Sequence, residues 1–252
     1  MWQHDEWFAP APSAEPHPAI ALADELVANC RIEQHPFFEH ASRSRSALRV
    51  WAAQELAVTG PFSQLLLVLA AKIRNVHIRA MVVEVAYGEH GTPGASIASA
   101  SHPWLLDKLR DSMGILPQEV EILPETWQFL AELQEICELS PLAAIGALGI
   151  GSEKLLIPEY TAVKMAFEKS LPDCEYQTFL DANIDDDTWH AVLMSKAAGA
   201  LIALGSEPEH YLEGARVSID ARMSYYTTLL ASCVAIESAP SSGFGGKEGY
   251  MH

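Results

Sequence analysis

The sequence of 252 residues contains few cysteines and few positively charged residues. Its four cysteines, at positions 30, 137, 174 and 233, are far apart and form no C-x-x-C pair, so the usual pattern of a disulfide framework or a cysteine zinc site is missing. Lys and Arg number 16 against 33 Asp and Glu, which gives a formal charge of −17 and a pI near 4.9. Such a surface repels phosphate backbones and anionic membranes. The composition therefore predicts free thiols, and excludes nucleic acid and membrane as expected partners.

Patterns that predict strands or a membrane span are also scarce. Asn-Gly and Asp-Gly pairs do not occur, and strong alternation of apolar and polar residues is missing. The most apolar stretch, residues 62–73, contains Lys72 and is followed by Arg74, and it is too short to cross a bilayer. Acids and prolines stand near the start, where a signal peptide would need a basic segment and an apolar run. We expect a soluble, cytoplasmic protein.

Helical periodicity fills most of the chain. Residues 19–30, 44–58 and 62–87 predict helices, and the second is expected to stop at Gly60-Pro61. Later helices are predicted to begin near Pro103, Pro124, Pro141, Pro158 and Pro208. The sequence predicts an all-α fold with about eight to ten helices in a single bundle. The bundle is expected over residues 19–237, between an irregular arm at 1–18 and a flexible tail at 238–252.

Three polar residues share one stripe of a predicted helix. Asn183, Asp187 and His190 are spaced i, i+4 and i+7, so a helix places them on one face. A carboxylate and an imidazole one turn apart can bind a metal ion from a single helix, as E-x-x-H pairs do in di-iron bundles. The alternative is an Asp near a helix start and a surface His.

Two acids stand out because their surroundings are apolar. Glu84 lies near the end of the predicted helix 62–87, where a negative charge is unfavourable unless it is paired or bound to a metal. Glu153 follows a run of eleven small and apolar residues, 142–152. Alternatively, the side chains of Glu84 and Glu153 are exposed or salt-bridged.

Histidines add to this set of candidates. His102 directly precedes the helix start at Pro103, from which its ring can point into the bundle. His90 competes with it for the same role, and each could instead be an exposed loop residue. Glu55 is an additional candidate carboxylate, although a surface position is expected for it.

In this order, the candidates resemble the heme-oxygenase-like diiron oxidase and oxygenase family, whose fold is shared with thiaminase II and pyrroloquinoline-quinone synthase. The resemblance covers residues 33–235 and includes the entry segment Gln34-His-Pro-Phe-Phe38. Its motifs are Glu84-x-x-x-Gly88, His102 before Pro-Trp-Leu-Leu, Glu153, and Asn183-x-x-x-Asp187-x-x-His190. It implies a heme-oxygenase-like bundle in which these six residues bind metal and Glu84, Glu153 and Asp187 are the catalytic acids.

The implied activity is that of a nonheme diiron oxidase or oxygenase. Two Fe²⁺ ions would activate O₂, the cosubstrate, to oxidise a small, amino-acid-derived metabolite by N-oxygenation, desaturation, or C–C or C–N cleavage. Carboxylates and imidazoles without thiolate suit ferrous iron or manganese. Asn183 departs from the pattern because it stands where the family has a histidine, and an amide is a poorer iron ligand. One iron is therefore expected to bind weakly, to bind only with substrate, or to be missing.

Substrate contacts and competing functions stay open. Arg74, Lys164 and Arg222 are candidates for binding a substrate carboxylate, against a solvated surface role. The alternatives are a metal-free enzyme of the same fold, whose acids and histidines act as general acids and bases, and a bundle that binds a protein partner. A homodimer is also open. Aromatic residues that could line an apolar pocket, against ordinary core packing, are Trp51, Phe62, Tyr87, Trp104, Tyr160 and Trp189.

Overall fold

The structure is a computed structural model that describes residues 17–91, 101–116 and 120–239. Within these residues the regular elements are helices, which confirms the all-α prediction. The predicted arm and tail lie outside the described residues, apart from their inner ends. The helices are α1 (Pro18–Cys30), α2 (Pro36–Ala41), α3 (Arg45–Lys72), α4 (Val76–His90), α5 (His102–Ser112), α6 (Pro124–Leu139), α7 (Pro141–Ile145), α8 (Leu155–Ser170), α9 (Tyr176–Ala203) and α10 (Pro208–Ser238), with a 3₁₀-helix at Ile32–Gln34 and a π-helix at Gly146–Lys154.

Helix α3 continues through Gly60-Pro61, where the sequence predicts a stop. Pro61 lies inside the helix, which costs a backbone hydrogen bond. The residues at positions 58, 59, 62 and 63 are nevertheless buried, so core packing outweighs the local preference of the proline. The chain breaks instead at residues 73–75, where the Asn75 side chain accepts two hydrogen bonds from the first turn of α4. The prediction of one helix over 62–87 was therefore wrong.

Helix α3 is long and apolar enough to cross a membrane by length and composition. In its most apolar window, however, 56% is buried inside the protein. This burial is what a core helix of a helical bundle shows, since such helices are apolar on most of their surface.

Two glycines bring α10 into backbone contact with the segment that precedes the candidate site. A Cβ at Gly146 would lie 2.1 Å from the carbonyl oxygen of Tyr211, and one at Gly214 would lie 2.0 Å from that of Ala143. Any larger residue would push the helices apart, because heavy atoms cannot approach so closely. The small, apolar run 142–152 is thus used for close helix packing.

The π-helix is the least regular part of the fold. At its end the backbone N–H of Leu155 bonds to the carbonyl of Ile150, five residues back, instead of the four of an α-helix. Residues 146–153 are all buried. Wide turns of this kind often occur at functional sites, and this one ends beside Glu153.

Candidate metal centre

Four buried side chains meet at one point in the bundle. They are Glu89 at the end of α4, Glu153 in the π-helix, and Asp187 and His190 on α9; one ligand atom of each lies within 4.8 Å of all the others. None is more than 4% exposed. We call these four residues the acidic cluster. Three segments distant in sequence supply it, so the cluster exists only in the folded chain.

The ring of His190 is at the centre of the acidic cluster. Its Nδ1 lies 3.1 Å from Oε2 of Glu153, 3.5 Å from Oε1 of Glu89 and 3.9 Å from Oδ1 of Asp187. The other side of the ring packs on α4, where a Cβ added to Gly88 would lie 2.4 Å from Nε2. The glycine therefore leaves the space that the imidazole occupies.

The charges of the acidic cluster favour a cation. Burial, together with the neighbouring charge of Glu89, raises the pKa of Glu153 well above its ordinary value. Burial and the charges of Glu153 and Glu89 do the same to the pKa of Asp187. Oε1 of Glu153 and Oδ2 of Asp187 are buried and receive no hydrogen bond from another described residue, although the two carboxyl groups can share a proton with each other. Orphaned acceptors of this kind are costly, and a bound metal ion would satisfy them.

These donors fit iron. Three carboxylates and one imidazole, without thiolate, are the ligands preferred by Fe²⁺ and Mn²⁺. A metal ion binds to deprotonated carboxylates and to a neutral imidazole. The acidic cluster must therefore release its protons when a metal ion binds. The arrangement can thus hold one divalent ion with groups already in place.

His102 lies next to the acidic cluster. Its Nδ1 is 3.0 Å from Oε2 of Glu89 and its Nε2 is 3.2 Å from Oδ2 of Asp186, which is half-exposed. Burial opposes a charge on this ring, but the carboxylates of Glu89 and Asp186 raise its pKa well above the ordinary value. The hydrogen bond from His102 lowers the pKa of Asp186 in turn. The chain Asp186–His102–Glu89 therefore connects the solvent side with the acidic cluster.

Asn183 faces the same region but is tied to its own helix. It is buried, it lies one turn before Asp187, and its Nδ2 donates to the carbonyl of Phe179 at 2.7 Å. Asn183, Asp187 and His190 thus share one buried stripe of α9, as their spacing predicts.

The placement predicted for Glu84 was wrong. Its side chain is exposed and accepts a hydrogen bond of 3.0 Å from Nε1 of Trp189, outside the acidic cluster. Glu89, five residues later, takes the place expected for Glu84. The sequence contained the signal for this residue, because Ile78, Val82 and Val85 form the buried stripe of α4, and one further turn leads to Glu89.

His90 and three of the candidate aromatic residues also lie outside the acidic cluster. His90 is exposed, and its Nδ1 is 2.7 Å from the carbonyl oxygen of Ala86. His102 is therefore the histidine of the pair that approaches the acidic cluster. Large parts of Tyr87, Trp104 and Trp189 are exposed, at 58%, 42% and 49%, so they fit neither of the two alternatives, a pocket wall or ordinary core packing.

A cavity of about 30 Å³ extends from the acidic cluster into the core. Phe62 and Tyr160 line it, as predicted, whereas Trp51 lies in the core and donates a hydrogen bond to Tyr226. Asn183 and Glu55 line it as well. Glu55 is only 1% exposed, so the expected surface position was wrong.

A second buried polar group also lines the cavity. Arg222 donates from Nε to Oε2 of Glu159 at 3.0 Å and from Nη2 to Oε1 of Glu55 at 2.7 Å. Nη2 also donates to Oε1 of Glu159, and the hydroxyl groups of Tyr160 and Tyr226 donate to Glu55 and Glu159. We call these five residues the Arg222 network. Because Arg222 is buried and paired with two carboxyl groups, it fits neither the candidate role of binding a substrate carboxylate nor the expected solvated surface position.

The other two candidates for that role lie on the surface. Lys164 pairs with Asp181 at 2.5 Å, and this hydrogen bond raises the pKa of the lysine. Arg74 is exposed at the end of α3. Neither residue lines the cavity.

Comparisons with known proteins agree with this fold and with iron. The family of iron-containing redox enzymes has a sequence model that matches residues 49–223, well over half of the chain. The chain belongs to this family. The matched range contains all four residues of the acidic cluster. No curated protein sequence matches the chain.

Solved structures show the fold of this member of the iron-containing redox enzyme family. A CADD-like protein of unknown function from Nostoc punctiforme is 17% identical, with a TM-score of 0.71 over 86% of this chain and 97% of its own. A domain of unknown function with a heme oxygenase-like fold from Shewanella denitrificans is 12% identical, with a TM-score of 0.69 over 93% and 100%. A TenA homolog from Pseudomonas syringae is 12% identical, with a TM-score of 0.61 over 86% and 91%. The fold is therefore heme-oxygenase-like.

Proposed function

We propose that the protein is an O₂-dependent nonheme iron oxidase or oxygenase that oxidises a small metabolite. The observation that carries the proposal is the acidic cluster, in which three carboxylates and one imidazole, all buried, lie within 4.8 Å of one another. Membership in a family of iron-containing redox enzymes supports iron as the metal. The adjoining cavity offers a site from which bulk water is largely excluded.

The side chains have separate tasks in this proposal. Glu89, Glu153, Asp187 and His190 would hold the metal, and iron, when bound, would supply the redox chemistry that activates O₂. His102 orients Glu89 through its Nδ1 and can pass a proton between that carboxylate and Asp186, since its two ring nitrogens lie 3.0 and 3.2 Å from them. Asp186 is half-exposed and can exchange this proton with solvent.

A second iron would depend on His102 and Asn183. Both side chains are engaged here, His102 with two carboxylates and Asn183 with a backbone carbonyl. We therefore propose that one iron is bound by the acidic cluster and that a second binds more weakly. Counting the iron atoms bound per chain separates the mononuclear and dinuclear forms of the proposal.

The proposal is tested by adding Fe²⁺ without oxygen, measuring bound iron, and then admitting O₂ while following visible absorption and oxygen consumption. The wild-type protein is expected to bind at least one iron per chain and to oxidise it faster than free Fe²⁺ is oxidised. Glu153→Gln should lose both properties, whereas Glu168→Gln, an exposed residue of α8, should keep them. Equal iron binding by both variants would contradict the proposal.

A metal-free enzyme of the same fold is the second candidate. It is favoured by Asn183 and by the raised pKa of Glu153 and Asp187, because a carboxylic acid that stays protonated can act as a general acid. Turnover that persists after dialysis against a chelator would support this function and contradict the first.

A further inference from the structure

The Arg222 network pairs two buried carboxyl groups with one guanidinium. Both oxygens of Glu159 accept hydrogen bonds from Arg222. Glu55 is therefore the acid of the pair whose hydrogen bonding is still incomplete.

One oxygen of Glu55 is unsatisfied. Its Oε1 accepts hydrogen bonds from Arg222 and Tyr160, but Oε2 has no partner among the residues that the structure describes. The residue is 1% exposed and lines the cavity. A buried carboxylate oxygen without a donor is costly, and a donor that enters the cavity would remove that cost.

We propose that the cavity binds a short aliphatic primary amine, whose ammonium group is held by Glu55 and whose hydrocarbon end points to the acidic cluster. The inference names the substrate class of the proposed function and rests on that function for the reaction. The other lining residues include Val58, Phe62, Leu133 and Leu156, which suit a hydrocarbon chain. The small volume of about 30 Å³ limits that chain to a few carbon atoms.

The same arrangement disfavours a ligand carboxylate at the Arg222 network. Arg222 is the cation of this network, and its guanidinium is already shared between Glu55 and Glu159. A ligand carboxylate there would lie beside two carboxyl groups that already occupy the guanidinium, which is unfavourable in a buried site. The site therefore selects for the positive end of a ligand.

The test uses the full chain with the acidic cluster filled by Mn²⁺, so that ammonium cannot bind to the cluster itself. Propylammonium is added at neutral pH, and its affinity and the paramagnetic broadening of its protons are measured by NMR. We expect the methyl protons to be broadened more than the methylene protons beside nitrogen, because the methyl end lies nearer the metal. The opposite gradient, or no binding, overturns the proposal, and this measurement needs no variant.

Variants test the role of Glu55. Glu55→Gln should weaken propylammonium binding by about tenfold or more, because it removes a hydrogen bond to a charged group. Glu168→Gln is the matched control and should leave the affinity unchanged. Propionate, which can coordinate Mn²⁺ directly, should bind equally well to the wild type and to Glu55→Gln. Unchanged propylammonium affinity in a folded Glu55→Gln protein overturns the assignment.

The outcomes separate this inference from the proposed function. If iron reacts with O₂ but propylammonium does not depend on Glu55, the amine proposal fails and the oxidase proposal stands. If no metal binds, the oxidase proposal fails on that result alone. The Glu55→Gln comparison is then made by calorimetry on metal-free protein that also carries Glu89→Gln, which weakens the acidic cluster as an ammonium site, and an unchanged propylammonium affinity still overturns the inference.

Discussion

The imidazole of His190 packs directly against Gly88, so closely that a Cβ at position 88 would lie 2.4 Å from Nε2. Gly88→Ala should therefore displace the ring and weaken metal binding by about 10- to 100-fold, the loss typical of disturbed support around a ligand. Gly199→Ala on α9 is the control, since a Cβ there meets no described atom within 4 Å. That variant should bind metal normally and gain about 0.5–1 kcal/mol of stability. Calorimetric titration with Mn²⁺ checks both, and normal affinity of the Gly88→Ala protein would argue against His190 as a ligand.

A pair of variants on α4 distinguishes the structure from the sequence-based assignment. Glu89→Gln should lower Mn²⁺ affinity by more than about 100-fold, because the loss of a direct ligand exceeds that of an outer partner. Glu84→Gln should leave the affinity unchanged, since its side chain is exposed and bonded to Trp189. The reverse result would restore Glu84 as the ligand.

The stability of the metal-free protein should fall as the pH rises. The pKa values of Glu153 and Asp187 are raised by burial, and that of His102 is raised by neighbouring carboxylates. Groups with raised pKa bind protons more tightly in the folded state, so their contribution is complete below the unfolded pKa and is lost as the pH passes the folded pKa. Asp186, with a lowered pKa, acts oppositely, since its contribution is lost as the pH falls.

Glu153→Gln tests this pH dependence because an amide mimics the protonated acid. In the presence of a chelator, the free energy of unfolding of this variant should change less than that of the wild type between about pH 5 and about pH 8. At the upper end the variant should be more stable by about 0.5–2 kcal/mol, although it no longer binds metal. Urea unfolding at several pH values measures this, and parallel pH curves would show that Glu153 is not strained by burial.

Replacement of Asn183 tests the number of metal ions. Asn183→His restores the imidazole that the resemblance places there, and imidazole is the better iron ligand. Iron bound per chain should rise from near one towards two in an anaerobic titration. If the stoichiometry and affinity stay the same, position 183 does not contact the metal.

The Arg222 network should contribute strongly to folding. Arg222→Met leaves two buried carboxylates without their cation and should cost about 3–5 kcal/mol. Arg216→Met on the same helix removes only an exposed pair with Glu213 and should cost about 1 kcal/mol or less. Equilibrium urea unfolding compares the two, and similar midpoints would mean that the network is neutralised in another way.

Sequence periodicity predicts the part of the site that lies on one helix. The stripe of Asn183, Asp187 and His190 depends only on helical spacing, so it is predictable without tertiary information. On α4 the same rule identifies Glu89. The sequence-based choice was Glu84 instead, because its neighbours in the sequence are apolar. Hydrophobic neighbours in sequence lie on all sides of a helix, and only those at the helical period share its buried face.

Residues whose partners are distant in sequence were harder to predict. Glu55 and Arg222 are 167 positions apart, and each looks like a surface residue until the other is placed beside it. The helix boundaries near Pro61 and Asn75 show a similar limit. Each residue locally favours a helix end or start, and tertiary packing decides that the helix continues through Pro61 and that the break lies before Asn75. Family resemblance, in contrast, predicted the fold from the order of motifs alone.

The wide turns of the π-helix determine the direction in which Glu153 points. Each residue of an α-helix advances the chain by about 100° around its axis, so the deletion of a single residue between positions 146 and 152 would rotate the carboxylate away from His190 by a comparable angle. An insertion or deletion that a surface loop would tolerate is therefore forbidden here, and the length of this glycine-rich stretch is as much a requirement of the site as the identity of its acid.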